Sequence, residues 1–251
     1  MTEFSYQLYS SRNFPPLSDT LRMLAEAGYA GVEGYGALYA DPGKVAELVA
    51  HLEGSGLTMP TGHFSLEMLE NDPARVLEIA RAVGIERLYC PHIAADRRPA
   101  DRAGWTAFGR RLHDAGRPFR DAGLGFGWHN HDFEFHPLPD GTLPLDAIFE
   151  GGPGLEWEAD IAWVIRGGAD PLHWIATHGE RITAVHVKDI APEGENTDED
   201  GWADVGQGSI DWKALLAVLR ETPARHFVME HDNPSDDARF ARRSLAAART
   251  Y

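Results

Sequence analysis

Two rhythms of apolar residues alternate along the chain. Leu21, Leu24 and Ala25 recur at helical spacing, as do Val45, Leu48, Val49 and Leu52, and again Val76, Ile79, Ala80 and Val83; a stripe of that period is the buried face of an amphipathic helix. Between these stretches stand short continuous apolar runs, as expected of strands covered on both faces. Strands are predicted near residues 5–9, 30–34, 58–63, 86–91, 124–129, 155–160, 182–187 and 226–231, with helices between and after. Asp41-Pro42, Asp72-Pro73 and Asp170-Pro171 supply a side-chain acceptor at the N-cap and a preset proline at the first helical position. Gly28, Gly56, Gly84 and Gly123 fall where a helix ends and a left-handed residue is wanted.

Eight such units predict a parallel sheet with helices outside, closed into a single (β/α)₈ TIM barrel with its active site at the C-terminal ends of the strands. An open doubly wound sheet would want a glycine-rich phosphate turn after an early strand, and Gly31 to Gly36 has the wrong spacing for one. No linker or low-complexity tract interrupts the pattern, so residues 1–251 read as one domain.

Composition narrows the partners. With 43% hydrophobic and 25% charged residues the chain has the ordinary means to build a core. Cys90 is the sole cysteine, so no intrachain disulfide forms, and its place in an apolar run predicts packing rather than nucleophilic chemistry. The start lacks a leader pattern and no apolar run is long enough to span a membrane, so a cytoplasmic protein without membrane association is expected. A net charge of -16 repels phosphate backbones and argues against nucleic acid, while acidic surfaces in general serve solubility. The expected partners are a small polyhydroxylated carbonyl substrate and, at most, a second copy in a homodimer.

Polar residues gather at the C-terminal tips of the predicted strands: Glu33, His63, His92, His129 with His131, Asp160, His186 with Lys188, and Glu230. In a (β/α)₈ barrel these tips share one face, so residues distant in sequence converge on one pocket. Glu134, Asp160, His186 and Glu230 form a set of three carboxylates and one imidazole suited to one divalent ion, Mn²⁺, Mg²⁺, Co²⁺ or Zn²⁺. Strand alternation places Glu158 in phase with Asp160, inside the barrel, where a carboxylate requires a partner.

The motifs extend the picture. Gln7-Leu8-Tyr9-Ser10, Gly28-Tyr29-Ala30-Gly31-Val32-Glu33, Trp128-His129-Asn130-His131-Asp132-Phe133-Glu134-Phe135 and Asp160-Ile161-Ala162-Trp163 are followed by Gly168-Ala169-Asp170-Pro171 and His186-Val187-Lys188-Asp189. Val205-Gly206-Gln207-Gly208-Ser209-Ile210-Asp211-Trp212 and Met229-Glu230-His231-Asp232 complete the series. Taken together, nearly end to end, these resemble the xylose isomerase-like TIM-barrel superfamily, in particular its sugar phosphate isomerases/epimerases. The resemblance implies one metal held by Glu134, Asp160, His186 and Glu230, with His129 the alternative first ligand at the tip of the fifth strand. It further implies that Glu134 and Glu230 move the proton α to a carbonyl on opposite faces of the substrate, that Lys188 holds developing negative charge, and that His63, His131, Glu158 and Trp163 contact substrate. The chemistry is coherent: an ion polarises the carbonyl and stabilises the enediolate while a positioned carboxylate takes the proton.

Isomerisation or epimerisation is the leading expectation. A dehydratase of cyclic polyols of the inosose type would use the same metal and base. An endonuclease IV-like nuclease would need several metals and phosphate-binding cations, against the net charge, and a noncatalytic sugar-binding protein would need no metal. The acidic, glycine-containing stretch from Ala191 to Gly208 is read either as a segment closing over substrate or as a plain solvated loop.

Overall fold

The helices begin and end where the sequence punctuates them. In the computed structural model, which describes residues 2–251, Asp41 accepts the amide of Lys44 at 2.9 Å, Asp72 that of Arg75 at 3.2 Å and Asp170 that of Leu172 at 3.0 Å. These bonds open the helices Pro42–Ser55, Pro73–Val83 and Pro171–His178. Gly28 and Gly56 close theirs at φ +96° and +72°, a conformation that a Cβ would strain. The stripes around Leu24, Leu48 and Val76 are buried, pressed onto the sheet they surround.

Eight parallel strands form that sheet: β1 (Phe4–Gln7), β2 (Gly31–Gly34), β3 (Thr58–His63), β4 (Arg87–Cys90), β5 (Gly125–His129), β6 (Glu156–Asp160), β7 (Ile182–Val187) and, after an antiparallel hairpin of β8 (Asp189–Ile190) and β9 (Trp202–Ala203), β10 (His226–Met229). β1 pairs with both β2 and β10, so the barrel is closed and has no exposed edge. The predicted (β/α)₈ architecture is therefore the observed one. The first strand is shorter than predicted because the Gln7 side chain accepts the amide of Tyr9 at 3.1 Å and turns the chain into the short 3₁₀ helix Leu8–Ser11. The last strand stops at Met229, since the amide of His231 donates to Ser10 Oγ at 3.0 Å instead of continuing the ladder.

Register sets the polar residues at successive depths. Gln7 lies opposite Glu33 and His129 opposite Glu158, while Asp160 lies opposite His186. Two residues of strand, about 6.6 Å, separate Glu158 from Asp160. Cys90 is fully buried and burial pushes its thiol up to about 12, which leaves it inert.

The Ala191–Gly208 stretch is neither a free closing segment nor a plain solvated loop. Glu199 and the run Trp202–Val205 are buried, and Arg239 holds both Glu199, at 2.9 Å, and Asp204, at 3.1 Å. Its ends converge on Asp189, whose carboxylate accepts the amides of Ile190, Gly206, Gly208 and Ile210 at 2.9 to 3.3 Å. No helix among the described residues is long and apolar enough to cross a membrane.

Candidate functional site

At the C-terminal mouth of the barrel a cavity of about 570 Å³ opens, with Tyr9, Arg12, Tyr35, His131, Trp163, Glu230 and Asp232 among its walls, a volume suited to a small molecule. On its floor, one donor atom from each of His129, Asp160, His186 and Glu230 lies within 4.8 Å of the others. Asp160 ends β6 and divides its carboxylate: Oδ1 accepts the amide of Trp163 at 2.9 Å and caps the helix Ile161–Arg166, while Oδ2 is buried without a hydrogen-bond partner. An orphaned carboxylate oxygen among imidazole and carboxylate donors suits a borderline divalent ion, so this cluster is a candidate metal site.

His186 stands between two carboxylates, Nδ1 at 2.8 Å from Glu230 and Nε2 at 2.7 Å from Glu33. Burial works against charge on its ring, but Glu158, Glu230 and Glu33 together hold its pKa well above the ordinary range. Glu230 is buried too, yet Lys188 and His186 keep it well below the usual carboxylate range. Lys188 is fully buried behind the wall, 2.8 Å from Asp232, 3.1 Å from Glu230 and 3.6 Å from Asp160. It does not line the cavity itself and borders it through those carboxylates and through the Trp163 ring, whose centroid is 5.1 Å from Nζ.

Beneath this level lies a second polar layer. Glu158 Oε2 is 2.5 Å from His63 Nε2, 3.1 Å from His129 Nδ1 and 3.5 Å from His186 Nε2. The partner that a carboxylate inside the barrel demands is thus a ring of imidazoles, and Glu158, fully buried, lies below the floor rather than among the residues lining the cavity. Glu33 takes part as well, accepting from Gln7 Nε2 at 2.7 Å. The burial of His129 and its neighbour His186 depress its pKa to about 3.

Glu134 departs from the expected set. Its side chain is fully buried, Oε1 accepting from Trp128 Nε1 at 2.8 Å and Oε2 from the amide of His131 at 3.0 Å. It belongs to neither group of convergent donors; the donor from the fifth strand is His129. Turning back within the loop gives Glu134 a structural occupation, fastening β5 to the turn Phe133–Phe135, and burial pushes its carboxyl up to about 8. His63, His131 and Trp163 do line the cavity. His131 has an unpartnered Nδ1 and is held neutral by burial and by its neighbours His129 and Lys188. The motifs left Gln7, Asn130, Asp232 and Arg12 without roles; the first three lay in plain sight within the quoted runs, but only the folded barrel shows what they hold.

Comparison with known proteins follows the same lines. A family model described as xylose isomerase-like TIM barrel matches residues 21–251. A rhizopine catabolism protein of Rhizobium meliloti, MocC, is 25% identical over 244 residues, spanning 85% of this chain and 74% of that protein. Among solved structures, a sugar phosphate isomerase/epimerase of Parabacteroides distasonis superposes with a TM-score of 0.82 at 18% identity, covering 98% of this chain and 94% of its own. An IOLI protein with a bound zinc atom superposes with a TM-score of 0.72 at 15% identity over 99% and 96% of the two chains.

Proposed function

The chain belongs to the xylose isomerase-like TIM-barrel family, and from that premise we propose that it is a divalent-metal-dependent isomerase or epimerase of a small polyhydroxylated carbonyl compound, working by proton transfer α to the carbonyl. The observation that carries this reading is the convergence of Asp160, His186 and Glu230, with His129, on the floor of a cavity of sugar-accommodating size. Asp160, His186, Glu230 and His129 would hold a divalent ion, which would supply a Lewis acid to polarise a carbonyl and acidify the neighbouring C–H. The chain does the rest. Glu230, kept ionised by Lys188 and His186 and facing the cavity, takes the proton. Lys188 cannot reach substrate and fixes Glu230 and Asp232 in place. Neutral His131, in the cavity wall, offers its ring to a hydroxyl, and the half-buried Trp163, 5.4 Å from His131 centroid to centroid, gives the sugar face an aromatic wall.

The test is exchange. With Mn²⁺ present, incubation of keto sugars and inososes in D₂O is expected to place deuterium α to the carbonyl of a substrate, seen by NMR. Glu230→Gln, checked for metal content, is expected to slow this by about 10²- to 10⁴-fold, the usual contribution of a positioned base. Exchange at the parent rate in the metal-loaded variant would remove Glu230 from this role, and turnover without any exchange in the parent would overturn proton transfer with solvent. Loss of water after exchange would mark a dehydratase that shares the first step.

A further inference from the structure

We propose that the substrate carries no phosphate, and that Asp200 sets this preference by accepting hydroxyl hydrogen bonds at the cavity rim and repelling an anion there. The inference rests on the reading of the cavity as the site of a polyhydroxylated carbonyl compound and narrows the substrate class. In (β/α)₈ barrels a phosphate group is frequently held by the loops after the seventh and eighth strands of the barrel and by a helix N-terminus beside them. Here those loops follow β7 and β10, and they bring carboxylates instead: Asp200 from the first, Glu230 and Asp232 from the second, all in the cavity wall. The helix that follows, Asp237–Ala248, has its N-terminus already answered, since Asp236 accepts the amide of Arg239 at 2.8 Å and Asp237 stands in the first turn.

Cations around the mouth are committed elsewhere. Arg12 is the one arginine or lysine in the wall; its Nη1 donates to the carbonyls of Tyr9 at 3.0 Å and Asp232 at 2.5 Å, and its guanidinium lies 3.9 Å from the Tyr9 ring centroid. Arg98 donates to the Ile93 carbonyl at 3.2 Å and covers Phe133. Lys188 answers Asp232 and Glu230. Asp200 differs from those two acids. Arg166 engages its carbonyl at 2.8 Å while lying over Trp202, but no salt bridge or hydrogen bond among the described residues takes up its carboxylate.

The position of Asp200 is fixed by its neighbours. It is one of two non-glycine residues at positive φ, 57°, the other being Asn196 at 49°, a conformation that L side chains rarely adopt. On one side Glu199 is buried and held by Arg239 at 2.9 Å and by the Ser235 amide at 2.7 Å. On the other, the Gly201 amide donates to the Asn196 carbonyl at 2.8 Å, and Trp202 is buried. An uncommon backbone conformation enforced from both sides, around a carboxylate that makes no bond within the protein, is the pattern of a residue aimed at a ligand. Its two oxygens accept from two neighbouring hydroxyls, donors that a phosphate group, largely deprotonated at neutral pH, does not supply.

The experiment measures α-deuterium exchange by the full chain with Mn²⁺ in D₂O, using D-fructose, D-xylulose and an inosose, each beside its phosphate monoester. In a pair that exchanges, the parent is expected to favour the free compound in kcat/KM by about tenfold or more, the effect of one like charge close by. The ester's disadvantage is expected to shrink as salt rises. Asp200→Asn keeps the size and tolerates the left-handed backbone; it is expected to raise KM for the free compound more than it lowers kcat, and to cut the preference about fivefold. A role confined to holding the loop would slow both members of a pair together and leave the preference in place. A parent that favours the ester overturns the inference and leaves the isomerase reading standing, whereas exchange in no pair removes that reading and the inference with it. An unchanged preference in Asp200→Asn, folded by circular dichroism, removes Asp200 from this role. Should the variant fail to fold, the parent's preference and its salt dependence decide.

Discussion

Replacing Asp189 by Asn should destabilise the whole barrel, although the residue belongs neither to the cavity lining nor to the candidate metal-ligand cluster. Its two oxygens accept four backbone amides, Ile190 and Ile210 on Oδ1 and Gly206 and Gly208 on Oδ2. Asparagine keeps one accepting oxygen and turns an NH₂ toward the other two amides. Two amide donors then lose their acceptor at about 1–3 kcal/mol each, and the surviving pair loses its charge assistance. The sum is about 3–5 kcal/mol. At about 2.1 cal/mol/K of unfolding entropy per residue, a chain of 251 residues loses about 2 °C of Tm per kcal/mol, so a fall of roughly 6–10 °C is expected. Thermal unfolding followed by tryptophan fluorescence reads it directly, since Trp202 and Trp212 are both buried beside this segment. The reasoning is refuted by a Tm within about 1 °C of the parent. A new protease-sensitive site between Ala191 and Gly208 at unchanged Tm would show that the segment detaches locally and is not integral to the barrel.

Glu134→Gln should leave the amount of divalent metal bound per chain, read by mass spectrometry after desalting, unchanged, because Glu134 lies in neither donor group; loss of bound metal would restore it to the ligand set. The same variant tests a pH effect. Burial raises the Glu134 carboxyl to about 8 from 4.5, so its protonated form belongs to the folded state; its contribution is fully present below about pH 4.5 and lost as pH rises through about 8. Urea unfolding should show the parent losing stability relative to the variant over that window, by at most about 1.4 kcal/mol per pH unit, and parallel profiles would contradict this. Duplex DNA should not bind at physiological salt, given a net charge of -16 and the acids Asp200, Glu230 and Asp232 in the cavity wall; micromolar, salt-sensitive gel shifts would count against it.

The barrel was legible because its signals are local. Helical stripes, Asp-Pro starts and terminal glycines each depend on a few neighbouring residues, and their repetition alone implies closure. The site was legible only as far as strand tips go. Tip position gathered Asp160, His186 and Glu230, but the distinction between Glu134 and His129 turns on where a loop of five residues points, and hydrophobic periodicity carries no information about that. Two donors, the Trp128 indole and the His131 amide, decide it by consuming both Glu134 oxygens. Charge compensation was equally hidden: Glu158 demanded a partner from its phase on β6, yet the partners come from β3, β5 and β7, strands whose register no local pattern specifies.

The segment Trp128-His129-Asn130-His131 shows how one run of sequence can serve both fold and chemistry. Alternation sends Trp128 outward to Phe108 and to Glu134, and His129 inward to the donor cluster. Asn130 faces away again, where its Oδ1 accepts from Trp157 Nε1 at 2.8 Å and from the amide of Asp160 at 3.0 Å, while its Nδ2 donates to the Asp160 carbonyl at 3.1 Å. That clamp fixes the backbone of Asp160 from both sides and so aims a carboxylate already committed through Oδ1 to capping its own helix. His131, the next inward residue, then stands one level higher, in the cavity wall. The alternating rows have distinct duties, one locking β5 to β6 and the other presenting imidazoles, and a metal-ligating geometry accurate to a fraction of an ångström needs both. Asn130 therefore positions the Asp160 carboxylate although it offers no donor atom to the cluster itself, so a search of the sequence for ligand-type residues passes over it.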